Sequence, residues 1–368
     1  MTEATPRARV LGDGSARICG MSSAERLDRI LARAGVSRDE SPGSGTVVLA
    51  LADRVFDESL IKAVIARRDS VLTDADGLAV AAHVQEADAD SAAQALLVGD
   101  ATSEPLRDLT RLDLTDLAYN SALRKREAPV LERLDATNVR VVEARLFQGS
   151  YKGITDLVTK YVWPVPARIV TRWCALIGIS PNQVTFASLI LVLVAMYLFW
   201  IGQFGWGLVA AWVMTFLDTV DGKLARVTLR SSPLGNVFDH GIDLIHPPFW
   251  WWAWFVGVQA SGFDLPHPEW LLAVIIGGYV AQRIEEGIFI RLFGMHMHAW
   301  RPFDSFFRLI TARRNPNLLL LTAATLVGRP DIGLIAVGIW TALCLVVHAV
   351  QILQGLGARR PLVSWLEG

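Results

Sequence analysis

Cysteine is scarce in this 368-residue sequence, and neither sign of charge dominates it. The three cysteines, Cys19, Cys174 and Cys344, lie far apart without metal-ligand spacing, which excludes a disulfide framework and a cysteine metal site. The 35 basic and 36 acidic residues nearly cancel, so nothing indicates a nucleic-acid partner. Residues 1–9 are polar and no long apolar run follows them, so we expect no signal peptide.

Hydrophobic residues are unevenly distributed along the chain. They make up 52% of it, with 13 tryptophans, yet charged residues are plentiful in the first 150 positions. This asymmetry predicts a soluble domain joined to a membrane domain. We place a small soluble α/β domain at residues 1–145, a connector with an interfacial amphipathic helix at 146–182, and a membrane domain of six transmembrane helices at 183–368.

The soluble part alternates short apolar runs with helical patterns, as α/β domains do. Residues 46–51 predict a buried strand, and residues 24–34 and 58–67 predict amphipathic helices. The stretch Gly12–Arg17 follows two apolar residues and is a weak candidate for a phosphate-binding loop. After this domain, the stretch Lys152–Ile177 mixes basic residues with tryptophans, which predicts a helix lying in the membrane interface.

Six apolar stretches predict the transmembrane helices, and the fifth is only about half the normal length. Ser180 as N-cap, Pro181 at the first helical position and Gln183 in a capping box predict the start of the first. Basic residues follow the second and fourth stretches, so the positive-inside rule places both termini and the soluble domain in the cytoplasm. We expect the membrane to be the inner (plasma) membrane. The stretches are 184–202, 206–227, 235–260, 270–293, 318–327 and 332–353.

Four carboxylates stand out because they fall within the second and third of these stretches. Asp218 and Asp221 share one helical face, and Asp239 and Asp243 share a face of the next helix. Carboxylates in a membrane segment are costly, and four together would repel one another. Divalent metal would cancel this charge, because hard cations such as Mg²⁺ take oxygen ligands. Gly222, Ala225 and Gly235 remove bulk from the same faces.

At these positions the chain resembles the CDP-alcohol phosphotransferase family, whose signature is D-x2-D-G-x2-A-R-x8-G-x3-D-x3-D. The sequence matches every fixed position of this signature, which is a very specific pattern. The matching residues are Asp218, Asp221, Gly222, Ala225, Arg226, Gly235, Asp239 and Asp243.

The resemblance implies that a CDP-linked donor transfers a substituted phosphate to an acceptor hydroxyl, with release of CMP. It implies that the four aspartates hold Mg²⁺ or Mn²⁺, as two ions, and that Asp243 is a shared ligand or the general base. The nucleotide-binding residues would be Asp218, Gly222, Ala225, Arg226, Gly235 and Asp239. Family members are often homodimers, which we also expect here.

The acceptor site is less defined. Arg283, Arg313 and Arg314 are candidates for holding an acceptor phosphate, as in the members that use inositol phosphate. Arg313 and Arg314 could equally anchor lipid headgroups, and Arg283 could pair with Glu286 three residues later. We expect Lys223 to be an interface charge. His246, His296 and His298 fit packing or interface roles better than metal ligation.

The stretch Gly12–Gly35, with the later Asp53, resembles a degenerate nucleotidyltransferase domain of the kind fused to some inositol-phosphate members. The expected lysine is replaced by Cys19-Gly20-Met21, so we expect a non-catalytic or regulatory domain. Asp53 is then either a metal-binding acid or an ordinary turn residue.

Our leading hypothesis is phospholipid synthesis from CDP-diacylglycerol and a polar alcohol such as inositol phosphate. A second hypothesis keeps the chemistry and joins CDP-inositol to inositol phosphate, giving a soluble phosphodiester. A rival of another class is an ion-coupled membrane transporter that uses the carboxylates as an ion path. A third possibility is a membrane anchor whose soluble domain carries out the chemistry.

Overall fold

The computed structural model describes residues 6–38, 45–231, 233–359 and 361–367, and it omits the side chains of residues 233, 234, 236, 239 and 240. The chain forms two compact units. Unit 1 comprises Met1–Tyr151, Ala175–Gly178 and Ala225–Arg230. Unit 2 comprises Lys152–Cys174, Ile179–Leu224 and Ser231–Gly368. This division does not test the domain limits predicted from the sequence, which remain a prediction.

Unit 1 is built around a mixed five-stranded sheet. The strands of unit 1 are β1 (Arg7–Leu11), β2 (Arg17–Ile18), β3 (Met21–Ser22), β4 (Thr46–Leu51), β5 (Arg54–Phe56), β6 (Ser70–Thr73), β7 (Ala79–Gln85), β8 (Thr110–Leu112), β9 (Tyr119–Asn120), β10 (Lys125–Arg126) and β11 (Leu131–Arg133). The strand order in the sheet is β1-β4-β7-β6-β8. The pairs β1–β4 and β6–β8 are parallel, whereas β7 runs antiparallel to both β4 and β6.

Three helices of unit 1, the first three in the chain, complete the apolar core of this sheet, whereas the fourth packs in a separate apolar cluster with Ile18 and Val55. The helices of unit 1 are α1 (Ser23–Arg33), α2 (Glu58–Ala66), α3 (Ala89–Val98) and α4 (Val139–Gly149). The predicted strand at 46–51 is confirmed, and both predicted helices are confirmed to within one residue at each end. A capping box between Ser22 and Glu25 begins α1, because each side chain accepts a hydrogen bond from the other residue's backbone N–H.

The helices of unit 2 are α5 (Pro164–Ile177), whose last residues belong to unit 1, α6 (Pro181–Trp200), α7 (Phe204–Thr228), α8 (Pro233–Ala260), α9 (Pro268–Phe293), α10 (Pro302–Phe307), α11 (Arg314–Leu326) and α12 (Pro330–Leu356). The start of α6 is as predicted, since Ser180 and Gln183 form a capping box and Pro181 is the first helical residue. A π-helical turn at Val158–Val162 precedes α5. The short helix α10 was not predicted.

Membrane spans are supported by two of these helices. Within the described residues, α6 and α12 are long and apolar enough to cross a bilayer. The predicted count of six transmembrane helices is therefore not confirmed. The charges of α7 lie near its carboxyl end, and those of α9 lie mostly in its second half. The 13-residue α11 is roughly 20 Å long, shorter than the hydrocarbon core of a bilayer.

The tryptophans of α8 form part of the apolar core of unit 2. Trp250, Trp251 and Trp254 are at most 1% exposed. The indole N–H of Trp250 donates to the Val192 carbonyl at 2.9 Å, and that of Trp254 donates to the Pro330 carbonyl at 3.1 Å. These tryptophans therefore join α8 to α6 and to the start of α12.

One side of α5 carries exposed apolar residues. Val165, Ile169, Trp173 and Leu176 are each more than half exposed and recur at helical spacing along one stripe. Arg168 and Arg172 are exposed beside them. The stripe and its basic neighbours support the predicted interfacial amphipathic helix.

The last turn of α7 belongs to unit 1. The guanidinium of Arg26, on α1, donates to the Val227 carbonyl at 2.5 Å, and Arg29 donates to the Thr228 carbonyl at 2.8 Å. Leu229, the residue after α7, is buried in the apolar core of unit 1. The carboxyl end of a helix leaves carbonyl groups without intrahelical partners, so side chains of α1 cap α7.

Candidate functional site

The carboxylates predicted from the sequence lie on α7 and α8. Asp218 and Asp221 are one turn apart on α7, and Asp243 is in the first half of α8. Asp239 also belongs to α8, but its side chain lies outside the part of the structure that is described. The placement of Asp239 as a ligand therefore stays a prediction.

Arg314, at the start of α11, brings two of these carboxylates together. Its Nη1 contacts Asp243 Oδ1 at 2.5 Å, and its Nη2 donates to Asp218 Oδ2. The Arg314 side chain is 14% exposed and that of Asp218 is 18% exposed, whereas Asp243 is 43% exposed. Carboxylates from α7 and α8 therefore converge on a single cationic group, and the Asp243 side chain is accessible from outside.

Asp221 is held by a neighbouring helix. Its side chain is buried, and Asp221 Oδ2 accepts a hydrogen bond from the Thr185 hydroxyl of α6 at 2.8 Å. The hydroxyl of Thr185 also contacts the Pro181 carbonyl at 3.1 Å. The first turn of α6 therefore orients the second aspartate of α7.

Two consecutive prolines shape the backbone beside Asp243. Because Pro247 and Pro248 have no N–H, the carbonyls of Asp243 and Leu244 cannot accept the usual helical hydrogen bond. The hydroxyl of Tyr279, on α9, lies 2.9 Å from the Leu244 carbonyl and 3.4 Å from the Asp243 carbonyl. Tyr279 therefore satisfies the orphaned backbone next to Asp243, a role that our sequence interpretation missed.

Tyr279→Phe is expected to lower the free energy of unfolding by about 1–2 kcal/mol, because the carbonyls left by the proline pair lose their donor. Thermal unfolding of the purified protein in detergent measures this effect. Tyr197→Phe is the matched control, since Tyr197 on α6 is 62% exposed. Equal melting temperatures for the Tyr279 and Tyr197 variants would show that the hydroxyl is not needed.

A second charged cluster surrounds Glu286 on α9. Arg283 Nη2 donates to Glu286 Oε1 at 3.0 Å, as the alternative reading of Arg283 anticipated. Arg313 Nη2 donates to the same oxygen, and His298 Nε2 lies 3.3 Å from it. Two of the predicted acceptor-binding arginines therefore meet at one carboxylate, whereas Arg314 lies at the aspartates.

The Glu286 cluster also contains histidines whose position the sequence did not reveal. Possible ligand atoms of Glu286, His298 and His348 lie within 4.8 Å of one another. His348 is fully buried on α12, and among the described residues its ring nitrogens have no hydrogen-bond partner. No helical spacing links these three residues, so only the fold brings them together.

The start of α11 is fixed by Asp156, which precedes the π-helical turn. Asp156 Oδ1 accepts hydrogen bonds from the side-chain amide of Asn315 at 2.9 Å and from the Thr159 N–H at 3.0 Å. Burial of Asp156 opposes ionisation, but Arg308 and these hydrogen bonds outweigh it and lower the pKa of Asp156 below its usual value. Because Asn315 follows Arg314 directly, this contact positions Arg314.

The geometry does not test the predicted nucleotide-binding residues. Gly222, Ala225 and Gly235 are partly buried positions on α7 and α8. The Nε of Arg226 donates to the Ser150 carbonyl at 2.8 Å within unit 1. Their roles toward a nucleotide remain predictions.

Lys223 corrects one expectation. We expected an interface charge, but Lys223 is 2% exposed. It shares a helical stripe with Val220 and Val227, which are also buried, so this side of α7 faces the protein interior.

The donor set at the aspartate site suits a divalent cation. Asp218, Asp221 and Asp243 offer carboxylate oxygens, the donors that Mg²⁺ and Mn²⁺ prefer. Asp218 and Asp243 contact one guanidinium, whereas among the described residues the group that brings three possible ligand atoms within 4.8 Å of one another is Glu286, His298 and His348.

Unit 1 has a cavity of its own, about 760 Å³ in volume, lined in part by the predicted loop residues Gly12, Asp13, Ser15 and Ala16. Asp53 also lines the cavity, and its carboxylate contacts Arg133 at 3.2 Å and Arg54 at 3.5 Å. Asp13 accepts hydrogen bonds from the backbone and hydroxyl of Ser15. Both acids are therefore engaged with neighbouring protein groups, and the nucleotidyltransferase likeness remains a prediction.

Comparison with known proteins shows what the segment around the aspartates is similar to. Residues 178–312 match the family described as CDP-alcohol phosphatidyltransferase. The matched stretch covers α6, α7, α8, α9 and α10, and it contains the aspartates of α7 and α8.

Individual relatives match over part of the chain. The chain is 32% identical over 139 residues to cholinephosphotransferase 1 of Xenopus laevis, a match that covers 33% of each protein. It is 38% identical over 79 residues to archaetidylinositol phosphate synthase of Pyrococcus horikoshii, covering 21% of this chain and 42% of that protein. A choline/ethanolaminephosphotransferase 2 of Arabidopsis thaliana is 33% identical over 119 residues, 28% of this chain and 29% of the relative. The matches thus span about a third to two fifths of these relatives.

Proposed function

We propose that the protein transfers a substituted phosphate from a CDP-linked donor to the hydroxyl of a polar alcohol in phospholipid synthesis. The donor is of the CDP-diacylglycerol type, and the acceptor is a phosphorylated polyol such as inositol phosphate. The acceptor oxygen bonds to the phosphorus that carries the substituent, the pyrophosphate P–O bond breaks, and CMP leaves with the bonding electron pair. The acceptor proton passes to a base.

The observation that carries this proposal is the convergence of Asp218 and Asp243 from two helices onto one cation. Carboxylates that pointed away from each other could not share a metal ion at the pyrophosphate. The family match adds the reaction class. The relatives differ in what their names say they make, since one transfers choline phosphate and another makes archaetidylinositol phosphate.

Each site residue has a role in this proposal. Asp218, Asp221 and Asp239 would hold Mg²⁺ or Mn²⁺, as two ions, which when bound would neutralise the pyrophosphate and stabilise the leaving oxygen. Asp243, which is more exposed than Asp218 and Asp221, accepts the acceptor's proton directly or serves as a shared ligand. Arg226, with Gly222, Ala225 and Gly235, would contact the nucleotide.

The acceptor's phosphate would be bound by the arginines at the start of α11 and on α9. Arg313 and Arg314 are consecutive in sequence and contact Glu286 and the aspartates, respectively. A phosphate between them would bond to planar guanidinium groups, which suit bidentate contacts with phosphate oxygens. Arg283, 3.0 Å from Glu286, completes this basic set.

The membrane arrangement belongs to the same proposal. The helices α6 and α12 support a membrane location, and the exposed stripe on α5 supports contact with the interface. We propose that α7, α8, α9 and α11 complete a six-helix membrane domain, that both termini and unit 1 lie in the cytoplasm, that the membrane is the inner (plasma) membrane, and that the protein is a homodimer.

The test is CMP release by the purified full-length protein with Mg²⁺ and defined donor and acceptor pairs. CDP-diacylglycerol with inositol phosphate should release CMP and give a product that partitions into organic solvent. CDP-inositol with inositol phosphate would instead give a water-soluble product, which would favour the second hypothesis. CDP-choline with diacylglycerol tests the choline-phosphate chemistry named in the relatives.

The same measurement separates the rival class. A transporter would show metal- or proton-coupled flux into vesicles without CMP release from any pair. CMP release without ion flux would exclude it.

A further inference from the structure

Arg314 occupies the place where the proposed function requires a metal ion. Its guanidinium contacts Asp218 on α7 and Asp243 on α8, and both of these aspartates belong to the proposed cation-binding set. Its neighbour Arg313 contacts Glu286 instead. The start of α11 therefore places one positive charge at the aspartates and a second one at Glu286.

The position of Arg314 is set by its surroundings. The next residue, Asn315, donates to Asp156 at 2.9 Å and lies 3.3 Å from the Thr159 hydroxyl. Arg314 Nη1 also lies 3.9 Å from the sulfur of Met214, and only 14% of the side chain is exposed. The guanidinium is therefore held at the carboxylates by packing as well as by charge.

A divalent cation and this guanidinium cannot use the same carboxylate oxygens together. Both are positive, and like charges a few Å apart repel strongly at a site shielded from water. A group that stabilises the metal-free site more than the metal-bound site weakens metal binding by that difference in free energy, because the two equilibria are linked. The Arg314 contacts are such a stabilisation.

We propose that Arg314 is an internal counter-ion of the aspartate site, displaced when a divalent cation binds and then free to bind a substrate phosphate. This inference rests on the proposed function, because it assumes that the aspartates are cation ligands. A guanidinium released beside the metal would be placed to contact phosphate oxygens bidentately. Cation binding and phosphate binding would thus be coupled through one side chain.

The test is Mn²⁺ binding to the purified full chain in detergent without substrate, with free Mn²⁺ measured by electron paramagnetic resonance. Arg314→Gln should bind Mn²⁺ at least tenfold more tightly than the wild-type protein, because the competing cation is gone. Arg314→Lys should give an intermediate affinity, since one ammonium replaces the two-pronged guanidinium. Arg291→Gln, an exposed arginine at the end of α9, removes the same charge and should stay within twofold of wild type.

Two outcomes would overturn the proposal. Unchanged or weaker Mn²⁺ binding by Arg314→Gln would show a permanent structural ion pair, and an equal gain in Arg291→Gln would show a general charge effect. Should Arg314→Gln be unstable without metal, its melting temperature must rise more with Mn²⁺ than that of the wild-type protein. Asp218→Asn separates this inference from the proposed function: if that variant also binds Mn²⁺ normally, the metal site itself is wrong.

Discussion

Asp243→Asn is expected to lower CMP release at least a hundredfold in purified protein supplied with Mg²⁺. The amide cannot accept the acceptor's proton, and general-base catalysis contributes roughly 10²–10⁴ in rate. The amide also removes a negative charge that the proposed cations and Arg314 both contact. Because Asp243 is 43% exposed, the substitution should leave the fold intact.

Asp264→Asn is the control for this experiment. Asp264 is exposed in the connection between α8 and α9, so its substitution makes the same chemical change away from the site. We expect its CMP release to match that of the wild-type protein. If Asp243→Asn retained more than a tenth of the wild-type rate, the role of Asp243 as base or ligand would be rejected.

Glu286→Gln is expected to lower the free energy of unfolding by about 2–4 kcal/mol. One carboxylate serves Arg283 and Arg313 and also lies next to His298, so the neutral amide leaves two guanidinium groups without their shared counter-charge. Breaking a fully buried pair costs about 3–5 kcal/mol, and the value expected here is lower because these arginines keep about a fifth of their exposure.

Thermal unfolding in detergent measures this loss. Glu269→Gln is the matched control, because Glu269 is exposed in the first turn of α9 and its substitution should change stability little. A melting temperature for Glu286→Gln equal to that of Glu269→Gln would mean that the two arginines are stabilised by other groups. Glu286 would then be a candidate for direct contact with the acceptor.

The sequence predicted those elements that local patterns specify, namely one strand and two helices of unit 1 and the start of α6. The capping box at Ser180 and the buried strand at 46–51 depend on residues close together in the chain, and both are present. The partners of the tryptophans on α8 could not be predicted for the opposite reason. Composition shows that Trp250 and Trp254 are largely apolar, but only the fold brings them to the carbonyls of Val192 and Pro330.

The site was predictable only where spacing along one helix determines it. Helical periodicity placed Asp218 and Asp221 on one turn of α7. It could not show that Arg314 would reach Asp218 from 96 residues away, or that His298 and His348 would meet Glu286. The need for a donor such as Tyr279 was detectable in the sequence, since two adjacent prolines inside a helix leave two helical carbonyls without their usual donor.

The capping of α7 by α1 bears on any attempt to shorten the protein. A chain beginning at residue 152 would lack Arg26 and Arg29, which bind the Val227 and Thr228 carbonyls, and would leave Leu229 without its apolar surroundings. Fraying would then start at the end of α7 and advance toward Asp221, less than two turns away. Loss of activity in such a truncated protein would therefore reflect an unravelled helix, and would not show that the amino-terminal unit performs chemistry.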